Sequence, residues 1–250
     1  MPCWLRISDL ASLLTTLRKS LITTNPRNPT MSHVFLAGAS QGVGREILNG
    51  LLAQNHTVKA FVRSESVAAE LQTMGVETAI GDALNPEQIT QAMSGSPIDL
   101  VISTIGGKPQ DGERSDYKGN QNLIDAAVKA GVKRFILITS IGSGESAAAL
   151  PPQAFAALKD VLAEKEKAEQ HLIASGLTYT IIRPGGLKSE LATGNGVLTE
   201  DPKIAGSIHR ADVAQLVCRC VNSDRANDKT LSALDRAMTY SPAPFEEFTP

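Results

Sequence analysis

Three closely spaced glycines lie between a short apolar stretch and a helix-like pattern, in the segment HVFLAGASQGVGREIL (33–48). Gly38 permits a tight turn, Gly42 lets the backbone approach a pyrophosphate, and Gly44 lets the helix pack closely on the strand. The amino end of such a helix offers free N–H groups and partial positive charge to phosphates. We favour this interpretation over simple turn glycines because a strand precedes them and a helix follows. The pattern predicts a dinucleotide site formed by Gly38, Ser40, Gln41, Gly42, Val43 and Gly44.

A positive residue stands about 25 residues further on, where an NAD-selecting enzyme usually carries an acid for the ribose hydroxyls. Arg63 occupies this position, in the segment FVRSES. A guanidinium can pair with a 2'-phosphate instead, so we expect NADP(H) rather than NAD(H) as the cofactor. Arg45 could add a second cation. The alternative is that either arginine is a solvated surface charge.

Further candidates for the cofactor site follow the third and fourth predicted strands. Asp82 could accept a hydrogen bond from the adenine amino group, and the backbone at Gly106 could pass close to a ribose. These predictions rest on position, because loops at the carboxyl ends of parallel strands form the ligand crevice. The set is Asp82, Thr104, Ile105 and Gly106.

From Ser32 onward, short runs rich in Val, Ile and Phe alternate with longer amphipathic segments. This alternation predicts an α/β fold, a Rossmann-type doubly wound parallel sheet in a single domain. Strands are predicted at 33–37, 57–62, 76–80, 98–103, 133–139, 178–183 and 230–234. Helices are predicted near 43–54, 66–74, 86–93, 117–131, 155–175 and 211–222. The irregular stretches 142–153 and 191–206 are candidates for the rim of the substrate site.

The composition of the 250-residue chain excludes some classes of partner and site. A net charge of −2 gives no whole-chain basic field, so we expect no nucleic acid partner. Three cysteines cannot form a disulfide framework and are typical of a reducing compartment. Scattered histidines lack metal-ligand spacing, and no metal is predicted. We interpret His209 and Arg210 as solvated residues flanking the last helix, although His209 could protonate a substrate.

Residues 1–31 differ from the remainder, residues 32–250, which we predict to be the NAD(P)-binding domain with a small C-terminal substrate region. In the first 30 residues, four basic residues accompany a single acid, Asp9, among many Ser, Thr and Leu residues. Helically spaced leucines favour a targeting peptide or an interfacial helix. Alternatively, the segment is a disordered upstream extension before Met31. No stretch reaches the roughly 18 apolar residues of a membrane span, so we expect a cytoplasmic protein, or an organellar stroma or matrix protein if this segment is a transit peptide.

Three further segments carry a family resemblance: NLIDAAVKAGVKRFILITSIG (122–142), KEKAEQHLIASGLTYTIIRPGGL (165–187) and IHRADVAQLV (208–217). With the glycines, they resemble the atypical branch of the short-chain dehydrogenase/reductase superfamily, which includes NmrA-like and flavin-reductase-like NAD(P)H-binding proteins. The likeness runs from about Ser32 to Ser232. The spacing of the glycines departs from the pattern of this branch. Atypical members usually show Gly-x-x-Gly-x-x-Gly, whereas the spacing here resembles that of the typical catalytic members.

The resemblance implies an incomplete catalytic set. Typical members carry a Ser and a Tyr-x-x-x-Lys pair, in which the lysine lowers the tyrosine pKa for proton transfer. None of the three tyrosines here precedes a lysine at that spacing. The family pattern instead matches Ser140 and Lys165, with Val161 at the tyrosine position. It also implies that Pro184 and Gly185 contact the nicotinamide carboxamide, although Pro-Gly-Gly can equally be a strand-ending turn.

The missing tyrosine limits the expected chemistry. Lys165 can still bind the ribose hydroxyls, but losing a general acid forfeits about 10²- to 10⁴-fold in rate. We therefore predict an NADP(H)-dependent oxidoreductase that reduces a conjugated or redox-active small molecule such as a flavin, quinone or tetrapyrrole. The alternative is a non-catalytic NADP(H)-binding redox sensor or assembly factor with a protein partner.

Overall fold

The computed structural model describes residues 31–107, 114–240 and 243–250. Ten strands and six α-helices occupy these ranges, with short 3-10 helices at Gly144–Ala149, Asp224–Ala226 and Arg236–Met238. The strands are β1 His33–Ala37, β2 Thr57–Val62, β3 Glu77–Ile80, β4 Leu100–Ser103, β5 Arg134–Ile138, β6 Thr178–Pro184, β7 Gly186–Lys188, β8 Gly196–Thr199, β9 Ser207–His209 and β10 Lys229–Asp235. The helices are α1 Gly42–Ala53, α2 Glu65–Thr73, α3 Pro86–Ala92, α4 Lys118–Lys129, α5 Pro152–Ala174 and α6 Arg210–Val221.

The main sheet has eight strands in the order β3-β2-β1-β4-β5-β6-β10-β8. Its neighbouring strands are parallel, except that β8 runs antiparallel to β10. The chain moves outward from β1 to β3 and then returns to β4 on the other side of β1. This reversal opens a crevice at the carboxyl ends of β1 and β4, where ligands bind in such sheets.

The central strand β1 shows why both faces of the sheet are covered. Val34 and Leu36 pack into one core layer with α1, α2 and α6, whereas Phe35 and Ala37 pack into the other with α3, α4 and α5. All four side chains are fully buried. Since successive side chains of a strand point to opposite faces, an uninterrupted apolar run is what a doubly covered sheet requires.

The predicted Rossmann-type fold is confirmed, and each predicted strand and helix is present with its ends shifted by a few residues at most. Helix α5 begins three residues earlier than predicted, at Pro152, because proline suits the first turn of a helix.

The two predicted irregular stretches contain regular structure. Residues 191–206 include β8, which pairs antiparallel with β10, and residues 142–153 include a 3-10 helix. Strands β7 and β9 pair separately in a second, two-stranded sheet. The sequence analysis did not predict these three short strands, because they are held by distant partners rather than by a local pattern. The place of the two stretches at the rim of a substrate site stays a prediction.

Within the described ranges, no helix is both long and apolar enough to cross a membrane. The predicted extension lies outside the described residues, apart from Met31, and stays a prediction.

Candidate functional site

A cleft of about 520 Å³ opens at the switch point between β1 and β4. This volume lies in the range of small-molecule and cofactor sites. The cleft brings together most of the residues predicted from the sequence, namely Gly38, Ser40, Gln41, Gly42, Val43, Gly44, Arg63, Asp82, Thr104, Ile105, Gly106, Ser140, Lys165 and Pro184.

The glycine loop at the end of β1 is built around the side chain of Thr104. Gly38 has φ +97° and Gly42 has φ +59°, backbone conformations that L side chains rarely adopt. A Cβ on Gly44 would collide with the carbonyl oxygen of Gly38 and lie 2.6 Å from Thr104 Oγ1. The Thr104 hydroxyl lies 3.2 Å from Ala37 O and 3.3 Å from Gly38 O, to either of which it can donate. Thr104, the residue that follows β4, thus holds the turn that leads into α1.

The amino end of α1 lines the cleft, and its first turn has no acid to offset the positive end of the helix dipole. Gln41 is extended and its side chain makes no capping hydrogen bond within the described residues. The first turn, Gly42 to Arg45, contains no acid. The first backbone N–H groups of a helix have no intrahelical acceptor, and their partial positive charge attracts anions. Phosphate oxygens are the groups this end of the helix is suited to bind.

The two arginines considered for the 2'-phosphate have different surroundings. Arg63 is exposed at the end of β2, lines the cleft, and has no ion-pair partner within the described residues. Arg45 does not line the cleft. Its Nη1 lies 2.6 Å from Glu70 Oε1, and its Nε donates to Ala39 O at 3.0 Å. Arg45 therefore braces the glycine loop and is already paired, which leaves Arg63 as the cation facing this part of the cleft.

Asp82 lines the same end of the cleft but is partly engaged in local structure. Its Oδ1 accepts from the backbone N–H of Leu84 at 2.9 Å, and its own N–H donates to Gln88 Oε1 at 2.7 Å. Its Oδ2 makes no hydrogen bond within the described residues, and the contact to an adenine amino group stays a prediction.

A buried carboxylate holds the lysine at the opposite end of the cleft. Asp116 is only 1% exposed, and its Oδ1 lies 3.1 Å from Lys165 Nζ. Its Oδ2 pairs with Arg114 at 2.9 Å and accepts from the N–H of Gly107 at 2.8 Å. Ser140 also lines the cleft, and its hydroxyl donates to the carbonyl of Ile141 at 3.0 Å. Sequence reasoning found Lys165 and Ser140 but did not find the pairing with Asp116.

No tyrosine lines the cleft within the described residues, which include all three tyrosines of the chain. Val161, at the position matched to the family tyrosine, is half-buried and also does not line it. The side chains at this end that carry exchangeable protons are therefore Lys165, Ser140, Thr139 and Ser115.

Pro184 lines the cleft, but Gly185 does not. The N–H of Gly185 donates to Ala233 O at 2.9 Å, and a Cβ there would collide with the carbonyl of Gly206. The close crossing of two chain segments explains this glycine, so the predicted carboxamide contact has support only at Pro184.

Arg210 lines the cleft, contrary to its interpretation as a solvated helix flank. It is the first residue of α6, and its Nη1 donates to Ser189 Oγ at 2.7 Å. A cation at a helix amino terminus is unfavourable because of the helix dipole, and that mismatch was the available sequence signal. His209 was also interpreted wrongly as solvated, since it is only 6% exposed.

His209 belongs to a buried group with Asp212 and Asp235, whose ligand-type atoms all lie within 4.8 Å of one another. Asp212 accepts hydrogen bonds from the backbone N–H groups of Thr193 and Gly194, each at 2.9 Å. Asp235 accepts from the Thr193 hydroxyl and, at 2.8 Å, from the N–H of Ala237. Both carboxylates are thus already engaged in bracing the loop before β8.

The family model described as NAD(P)H-binding matches residues 38–224. The chain belongs to this family. The match covers the glycine loop, the Asp116–Lys165 pair and Arg210, and it establishes a nicotinamide dinucleotide as the type of cofactor. The resemblance to the atypical short-chain dehydrogenase/reductase superfamily is confirmed.

Proteins with sequences or structures similar to this chain carry different descriptions. An uncharacterized sugar epimerase, YhfK of Bacillus subtilis, is 34% identical over 203 residues, covering 78% of this chain and 91% of that protein. The anaerobillin reductase ChuY of Escherichia coli O157:H7 is 35% identical with a TM-score of 0.76, covering 85% of this chain and 100% of that one. The chloroplastic protein TIC 62 of Pisum sativum is 33% identical over 74% of this chain, which spans only 39% of that longer protein.

Proposed function

We propose that this family member is an NADPH-dependent reductase of the atypical short-chain type. Its acceptor would be a conjugated or redox-active small molecule, with flavins, quinones and tetrapyrroles as the classes to test. The observation that carries the proposal is the cleft. At one end it offers a helix amino terminus whose first turn has no acid, and Arg63, which has no ion-pair partner among the described residues. At the other end is Lys165, paired with Asp116, and the described lining residues include no tyrosine.

The preference for NADPH over NADH rests on Arg63. Arg63 lines the cleft where the second strand ends, is exposed, and forms no ion pair with a described carboxylate. A hydrogen bond to a charged group contributes about 1.5–3 kcal/mol in favourable surroundings. Because Arg63 is exposed and screened by solvent, we expect the lower end, about a tenfold preference for the 2'-phosphorylated cofactor.

At the nicotinamide end of the cleft, Asp116 would position Lys165, and Lys165 would bind the ribose. The pairing with the 1%-exposed Asp116 keeps the ammonium group at the wall of the cleft. Two further ammonium N–H groups can donate to ribose hydroxyls while this ion pair is kept. Lys165 would thus orient the nicotinamide ribose, and Pro184 would bound the space beside it.

Bound NADPH supplies a hydride, and the acceptor takes it together with a proton. The three N–H groups of Lys165 are taken up by Asp116 and the ribose hydroxyls, so the proton would come from water that enters the open cleft. Some acceptors can spread the negative charge left by the hydride over a conjugated system until a proton arrives. Such acceptors do not need a tyrosine placed to protonate them. This favours conjugated acceptors over isolated ketones, for which loss of the general acid costs about 10²- to 10⁴-fold.

The reductase proposal has support from the structural neighbour described as an anaerobillin reductase, which this chain matches over 85% of its length. The absence of a tyrosine from the described cleft supports a second candidate, an NADP(H)-binding redox sensor or assembly factor that acts through a protein partner.

Steady-state oxidation of NADPH, followed at 340 nm with flavin, quinone and linear tetrapyrrole acceptors, distinguishes the two functions. Sustained turnover that is lost in Asp116→Asn and retained in Asp125→Asn, an exposed change in α4, supports the reductase. Tight binding of NADPH without turnover on any acceptor contradicts the reductase and supports the sensor.

The location of the protein is a separate proposal. We infer that residues 1–30 direct import into an organelle, because they carry Arg6, Arg18, Lys19 and Arg27 against one acid. The relative TIC 62 is described as chloroplastic. A fluorescent protein fused behind residues 1–30 should enter an organelle, whereas a diffuse cytosolic signal would contradict the inference.

A further inference from the structure

Arg210 lines the cleft beside the glycine loop, from a helix that packs on the same face of the sheet as α1. It begins α6, directly after β9, whereas Gly42 begins α1 after β1. A Cβ on Gly42 would lie 3.7 Å from Arg210 Nε and 3.9 Å from its Cδ. The guanidinium therefore lies beside the amino end of α1, where phosphate oxygens would be bound.

The guanidinium of Arg210 has unused hydrogen-bonding capacity. A guanidinium has five N–H donors, and within the described residues Arg210 makes one hydrogen bond, from Nη1 to Ser189 Oγ at 2.7 Å, and no ion pair. Two other arginines, by contrast, are ion-paired: Arg183 with Glu169 at 2.7 Å and Arg236 with Glu247 at 2.6 Å.

The acids near Arg210 have other partners. Asp212, two residues further on, is 1% exposed and accepts from the loop amides at Thr193 and Gly194. Glu190 lies 3.4 Å from His209 Nε2. Within the described residues Arg210 thus has no ion-pair partner, although Asp212 places an acid in the first turn of α6. An anion bound beside the amino end of α1 would supply that partner.

We propose that Arg210 binds the diphosphate of the bound dinucleotide and closes the cleft over it from α6. The proposal deepens the cofactor assignment above and rests on it. The two arginines would then bind different groups. Arg63 binds the 2'-phosphate that NADPH carries and NADH lacks, and Arg210 binds the diphosphate that both cofactors contain. The hydrogen bond from Arg210 to Ser189 would also connect the cofactor site to the residue that follows β7. Strand β7 itself carries Leu187, which lines the cleft.

The test compares Arg210→Gln and Arg63→Gln in calorimetric titrations with NADPH, NADH, ADP and adenosine 2'-monophosphate. Arg210→Gln should weaken NADPH, NADH and ADP by about the same factor, roughly tenfold for one charge-assisted hydrogen bond. It should leave adenosine 2'-monophosphate unchanged, because that ligand has no diphosphate. Arg63→Gln should weaken NADPH and adenosine 2'-monophosphate while sparing NADH and ADP.

Arg219→Gln, an exposed change in the last turn of the same helix, is the matched control and should change none of the four affinities. Thermal unfolding of each variant separates a local loss of charge from loss of the fold. Wild-type affinities for NADPH and NADH in a folded Arg210→Gln protein would overturn the proposal while leaving the cofactor assignment intact. Failure of the wild-type protein to bind either dinucleotide would instead overturn the proposed function, and this proposal with it.

Discussion

Lys165 Nζ lies 3.1 Å from Oδ1 of Asp116, a carboxylate that is only 1% exposed. The two residues come from different helical regions, α5 and the segment before α4, and meet at the end of the cleft opposite Arg63. Under the proposed function, the nicotinamide ribose would lie beside this cation. The described residues of the cleft include no tyrosine, and the partner of Lys165 is a carboxylate instead.

Asp116→Asn should destabilise the protein, because Lys165 and Arg114 would lose their shared anion while remaining partly buried. We expect the free energy of unfolding to fall by about 1–3 kcal/mol, the usual cost of an unsatisfied buried polar group. Urea denaturation measures this. Asp125→Asn is the control, since that carboxylate is 49% exposed and pairs with His171 at the surface. Equal losses in the two variants would contradict a special role for Asp116.

Lys165→Ala should weaken NADPH and NADH alike, by about tenfold, because both cofactors carry the nicotinamide ribose. The measurement is calorimetric titration with each cofactor. Lys167→Ala is the matched control two residues away, where the side chain is 56% exposed and pairs with Glu164. If Lys165→Ala bound NADPH as tightly as the wild-type protein, the ribose role would be refuted.

Gly44→Ala should disturb the glycine loop, because the added Cβ would meet the backbone carbonyl of Gly38. Overpacking of this kind costs about 1–3 kcal/mol, and the loop shift should also abolish measurable NADPH binding. Gly95→Ala provides the contrast. Its φ is +101°, but no described residue other than its chain neighbours has an atom within 4 Å of the new Cβ. We therefore expect a cost of about 1 kcal/mol and an unchanged NADPH affinity. Wild-type NADPH affinity in Gly44→Ala would show that the close approach is dispensable.

The two described cysteines should be unreactive in the folded protein. Burial raises the pKa of the Cys218 thiol to about 11 and that of Cys220 to about 12. At pH 8 we expect peptide mapping to find neither residue labelled by iodoacetamide until urea is added. Since the folded-state pKa is raised, the linked stability is complete below the ordinary thiol pKa near 9 and is lost as pH rises towards 11 to 12. Rapid labelling of Cys218 or Cys220 in the native state would contradict their burial.

The sequence predicted the features that are encoded locally. Gly38, Gly42 and Gly44 lie within seven residues, next to a strand and a helix whose patterns are unambiguous. Arg63 could be found because it follows the second strand at a known distance from the glycines. The apolar run of β1 likewise reveals burial on both of its faces, since alternate side chains face different layers of helices.

The remaining features depend on contacts between distant residues. Asp116 and Lys165 are brought together by the packing of two helical regions, and no pattern in either segment indicates the other. Arg210 meets the glycine loop only because α6 and α1 pack on the same face of the sheet. Strand β8 lacks a clear alternation of its own and exists through its pairing with β10.

The central claim is that the cleft binds NADPH through Arg63, and calorimetric titration of the wild-type protein and Arg63→Gln with NADPH and NADH tests it most directly. We expect the wild-type protein to bind NADPH at least about tenfold more tightly than NADH, and Arg63→Gln to remove this difference by weakening NADPH alone. Equal affinities of the wild-type protein for both cofactors, or equal losses in the variant, would contradict the claim.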